Sequence, residues 1–217
     1  MRADAADQAA RPGTTRRQAP ATMAVSLSSA VTSRAWAAAP SNVPADAALP
    51  AMAASLRALT IALARAPRRR DFKLVPMILT RSDEWDSQAL NAILAYQGSP
   101  KQAFDNTEID GPWLNLMRNS MNAQVFSFKH PDFLCVSATH GTAHLALYDD
   151  LIWDKYQLAS LTKEKFASNT LSKLPAASDP IDFQKADGLY SPAANSIPVL
   201  QRRGAVFIAC HNQVQTS

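Results

Sequence analysis

A thiol followed directly by an imidazole, Cys210-His211, closes the apolar run AVFIA, and a second imidazole, His140, follows the apolar run FLCVSA. Sulfur next to a proton acceptor is nucleophile chemistry: a thiolate attacks, and an imidazole takes up or returns the proton. Both runs read as buried strands, and open α/β sheets present their ligand groups just beyond the carboxyl ends of such strands. Cys210, His140 and His211 are therefore the candidate catalytic residues, with either imidazole assisting the thiol by hydrogen bonding. Cys135 lies inside FLCVSA, where a thiol acts as a small core side chain. A Cys135–Cys210 disulfide would need neighbouring strands in matching register. His140 and His144 have the i, i+4 spacing of a helical metal pair. Gly141 separates them, however, and no carboxylate triad or cysteine pair lies nearby. The plainer reading has His140 bonded to strand-end backbone and His144 packed on a helix, with Asp149, Asp150 and Asp154 on that helix's solvated face. No cofactor and no metal site is expected from the residues.

The elements that must position these groups follow from hydrophobic period and turn signals. Met52, Leu56, Leu59 and Leu63 recur at helical spacing over residues 51–66 before Pro67 ends the run. The basic stretch Arg68-Arg69-Arg70 follows, so residues 40–70 read as an amphipathic helix and linker. A strand is predicted over 72–79 (FKLVPMIL) and a helix over 86–96, closed by Gly98-Ser99-Pro100. Residues 101–112 are polar and turn-rich and read as a loop, followed by a helix over 113–121. Residues 124–128 and 133–138 read as apolar strand-like stretches, and 143–156 as one helix. Residues 157–195 read as a long functional loop, lid or insertion. A short helix over 196–203, ended by Gly204, and a strand over 205–209 complete the pattern. Strand, turn and helix in this order give the α/β pattern.

Charge and composition narrow the function classes. The 217 residues hold 22 Lys+Arg and 18 Asp+Glu. Residues 1–70 carry ten Arg against three Asp, whereas 71–217 carry twelve basic and fifteen acidic residues. The basicity thus belongs to the N-terminal stretch 1–70, and the globular part lacks the footprint of a nucleic-acid binder. Two cysteines exclude a disulfide-stapled miniprotein and a four-cysteine zinc site. Residues 1–39 order a twin arginine (Arg16-Arg17), a mildly apolar stretch and the small-residue site AWAAA, as an export signal does. The expectation is a twin-arginine-type leader and a periplasmic mature chain; a disordered extension and a mitochondrial-type presequence are the alternatives. No apolar run long enough for a membrane span follows. The sequence contains no G-x-S-x-G, G-x-G-x-x-G, Walker or H-E-x-x-H motif.

Three segments, FKLVPMILTRSDEWDSQALNAILAY, FLCVSATHGTAHLALYDDLIWDKYQL and SIPVLQRRGAVFIACHN, together resemble the successive strand–helix units of the DsrE-like sulfur-relay family. The resemblance covers residues 71–217 and rests on a strand ending in His-Gly, the helix after it, and a late strand running from Arg-Gly into a cysteine. It implies a small three-layer parallel α/β domain, often oligomeric. It also implies persulfide carriage by Cys210, with a sulfur donor or acceptor protein as partner. Two features depart from it: the export signal, and Gln213 to Ser217 in place of the family's last helix and strand. Fold alone does not decide activity. A non-enzymatic binding or assembly module is the alternative, with a metal- or haem-associated accessory role through His140, His144 or His211 as the third reading.

Overall fold

The computed structural model describes residues 48–69, 76–174 and 182–211. The export-signal reading of residues 1–39 lies outside the described residues. So does most of the strand expected over 72–79, whose described end, 76–79, is irregular. Three strands, β1 (Lys101–Asn106), β2 (Leu134–Thr139) and β3 (Val206–Ala209), pair in parallel in the order β1-β2-β3. The register sets Asn106 opposite Thr139 and Thr139 opposite Ala209, so all three carboxyl ends share one rim.

Side-chain alternation along β2 explains why helices cover both faces. Leu134 and Val136 pack with Leu56 and Leu59 of α1 (Ala54–Arg65), and with Ala92 and Ile93 of α2 (Ser87–Leu94). Cys135 packs into the larger cluster with Trp113, Leu114 and Met117 of α3 (Trp113–Asn122). Trp153 of α4 (Asp150–Tyr156) and Leu200 of α5 (Ile197–Arg202) join that cluster. This is a mixed α/β arrangement around a small parallel sheet. The entry of α1 is fixed from a distance: Asp132, just before β2, accepts a hydrogen bond from the Leu56 amide at 2.9 Å, and its own carbonyl accepts one from the Tyr96 hydroxyl at 2.8 Å. A carboxylate at the first turn of α1 satisfies a free amide and opposes the positive end of the helix.

Three expectations need correction. The segment 101–112 is not wholly loop, because its first half is β1. As an edge strand β1 covers only Phe104 partly and Asn106 fully, so KQAFDN lacks the apolar alternation of a buried strand. Residues 124–128 are not a strand: α3 runs on through a π-helical turn (Ala123–Ser127) and ends at Lys129, whose φ is +61°. The helix expected over 143–156 is two pieces, a 3-10 segment (Gly141–Leu147) and α4. Asp149 starts α4 by accepting the Ile152 amide at 2.9 Å, and the buried Asn169 donates to the Ala146 and Tyr148 carbonyls at 2.8 and 2.7 Å, holding the break. Asn169 belongs to the long segment 157–195, which is anchored by buried Leu158, Leu189 and Ala194 and three short 3-10 turns.

Candidate functional site

The shared rim brings together two of the three sequence-predicted groups. His140 follows β2 and Cys210 follows β3. The ladder continues to both, since the His140 amide donates to the Asn106 carbonyl at 2.9 Å and the Cys210 amide to the Thr139 carbonyl at 3.0 Å. The paired register ends at Thr139 and Ala209, so His140 and Cys210 are the first residues past the ends of two neighbouring strands. Asp105 of β1 completes the row, accepting a 2.5 Å hydrogen bond from His140 Nε2. A carboxylate only accepts, so this bond places the proton of a neutral imidazole on Nε2 and leaves Nδ1 as an acceptor. Among the described contacts the thiol and this imidazole make no hydrogen bond to each other. Asp105 went unnoticed in the sequence because its segment read as loop.

His211 is held differently. Its Nε2 lies 2.9 Å from the Pro76 carbonyl, which again assigns the proton of the neutral ring to Nε2. Cys210 and His211 stand at one end of a cleft of about 540 Å3, bounded by β3 on one side and by α2 and Leu63 of α1 on the other. Leu63, Ala89, Leu90, Ile93 and Val206 give it apolar walls. Arg68 and Arg69 enter the lining, but Asp86 meets both: Arg68 Nη1 lies 3.2 Å from its carboxylate, and the Arg69 amide donates to it at 2.7 Å. Glu84 is held below the usual carboxylate range by hydrogen bonds from the Arg81 and Thr80 amides. The cleft is thus largely apolar with a balanced charged margin.

The other sulfur is sealed. Cys135 has no exposed surface, and burial pushes its thiol up to about 12. Both cysteines are free. A disulfide is ruled out by position: Cys210 lies about five register steps beyond the residue opposite Cys135, or roughly 17 Å along the strands. His144 is buried, with Nδ1 against the Gly141 carbonyl at 2.5 Å and its ring edge-on to Tyr148. Among the described residues no group of three or more His, Cys, Asp and Glu could hold a metal ion. Among them, too, no helix is long and apolar enough to cross a membrane.

A small parallel α/β unit with a carboxylate near the end of one strand and an imidazole and a thiol just past the ends of the next two is what fold and site define. No protein-family model, curated protein or solved structure matches the chain.

Proposed function

We propose that the chain is an exported, periplasmic sulfur-handling protein of the DsrE-like kind, carrying sulfane sulfur as a persulfide on Cys210. The observation that carries this reading is the position of Cys210, which lines a largely apolar cleft just past the end of β3, while the Asp105-bound His140 follows the end of the neighbouring strand β2. The Nδ1 acceptor of His140 takes the thiol proton. The Cys210 thiolate then attacks the outer sulfur of a donor persulfide R–S–SH. The new S–S bond forms at Cys210, the donor S–S bond breaks, and RS⁻ leaves and takes up the proton. No external oxidant is needed, because the sulfane sulfur arrives already at its oxidation level. Apolar walls suit a soft, polarizable persulfide and keep water from it.

The test is loading with glutathione persulfide followed by cold cyanolysis. One sulfane sulfur per chain is expected, with none on C210S and loading about tenfold slower on H140Q at neutral pH. Equal loading of parent and C210S, or no loading of the parent, removes the proposal.

A second reading, a binding or assembly module without chemistry, draws on the outer side of β3, which has no partner strand among the described residues. Exposed strand edges pair with other chains. Light scattering separates the two readings: an oligomer that forms regardless of Cys210, on a protein that never accepts sulfur, favours assembly.

A further inference from the structure

At the other end of β3 two positive charges are buried, and among the described residues no carboxylate meets either. Arg203 follows α5 and is only 4% exposed; Arg118 of α3 is 6% exposed. Asn115, Arg118, Asn119 and Asn122 recur at three- and four-residue spacing, so α3 presents one polar stripe. Arg118 Nη2 donates to the amide oxygens of Asn115 and Asn119, the latter at 2.9 Å, and Nη1 to the Tyr190 carbonyl at 3.4 Å. Arg203 Nη2 donates to Asn122 Oδ1 at 2.5 Å, and its guanidinium lies 4.8 Å over the Tyr190 ring. Every one of these acceptors is neutral. Arg118 Nε and Arg203 Nη1 are buried without a hydrogen-bond partner among the described residues.

A buried guanidinium that meets only neutral groups carries a desolvation cost that an anion would offset. Burial lowers both arginines, Arg203 to about 10, which still leaves it cationic at neutral pH. Beside this cluster is a cavity of about 210 Å3, lined by Arg203 and Tyr190 and walled by Pro50, Met121, Val125 and Phe126. We propose that this cavity binds a small monocarboxylate with an apolar body, its carboxylate taken by Arg203 with Arg118 adding positive potential. The walls select the class. A sulfate or phosphate would have to surrender its hydration to alkyl and aromatic surface, whereas an aryl or short alkyl body gains by that contact. The size agrees, because a dry cavity of ~150 Å3 already admits a benzene ring. The site lies at the opposite end of β3 from Cys210 and is independent of the sulfur proposal.

The experiment is calorimetric titration of the full chain with sodium benzoate and sodium hexanoate, using benzamide and sodium sulfate at matched ionic strength as controls. Saturable 1:1 binding of a carboxylate is expected, at least tenfold tighter than benzamide or sulfate. The Val125→Phe variant fills the cavity without touching a guanidinium and should lose that binding at least tenfold; Arg203→Met should lose it too. Because Arg203→Met removes a buried, hydrogen-bonded side chain and can unfold the chain, Val125→Phe decides the matter alone if it does. Absence of saturable carboxylate binding by the parent at millimolar concentration overturns the proposal. Sulfate binding as tight as benzoate, or binding unchanged in Val125→Phe, overturns it equally.

Discussion

Cys135 stands within β2 and Cys210 just past the end of the neighbouring parallel strand β3, yet one thiol is enclosed and the other borders an open cleft. Cys135 sits mid-strand, where Trp113, Leu114 and Met117 of α3 close over it. Cys210 sits one residue past the end of its strand, beyond the reach of the packed layers. The same side chain therefore has two chemistries. In the middle of a covered sheet burial keeps the sulfur protonated, and at the carboxyl rim the thiol borders a cleft. Position along the strand, rather than the strand's identity, sets what the thiol can do.

The largest effect should come from breaking the rim itself. Gly141 turns the chain after His140 with φ +55°, and a Cβ there would run into the backbone of Thr107, the residue after β1. Gly141→Val should cost about 2–4 kcal/mol in urea unfolding, with Gly141→Ala less severe. If the contrast between the thiols depends on this rim, the labelling difference between them should shrink in parallel.

The next effect sharpens the enclosed half of the comparison. The Cys135 thiol is raised by burial from 9.0 to about 12, so the folded chain holds its proton longer than the unfolded chain does. The associated stability is fully present below pH ~9 and is lost as pH climbs toward ~12, with a slope of about 1.4 kcal/mol per pH unit. Tyr96, also raised to about 12 by burial, adds a slope of the same sign. Cys135→Ala should flatten the curve by the thiol's share, leaving the tyrosine share; urea melts between pH 8 and 11 read the difference. An unchanged slope would mean that Cys135 is not sealed.

The smallest effect is expected at the open half. The Asp105–His140 pair is exposed, with side chains 78% and 40% accessible. Exposed pairs contribute little, so Asp105→Asn should shift stability by less than about 0.5 kcal/mol. On the persulfide proposal it should nevertheless slow loading of Cys210, since the imidazole loses its orienting carboxylate.

Much of this arrangement was legible in the residues. Leu56, Leu59 and Leu63 announced α1, and the runs FLCVSA and AVFIA announced β2 and β3 and the rim they deliver. The strand β1 was hidden because an edge strand needs few apolar residues, and with it went Asp105. The QVFSF stretch misled because apolar content without a turn before it is as compatible with a helix running on as with a new strand. The break at Tyr148 depends on Asn169, more than twenty residues away, and no local pattern encodes such a partner. Arg118 and Arg203 look like ordinary surface arginines in the sequence; only the packing of α3 against the α5–β3 junction buries them.

The most direct measurement is native-state alkylation of the two cysteines by iodoacetamide, quantified by peptide mass spectrometry. The account predicts that Cys210 is labelled at least tenfold faster than Cys135 in the folded protein and that urea makes the rates converge. Equal native rates, or faster labelling of Cys135, would contradict it.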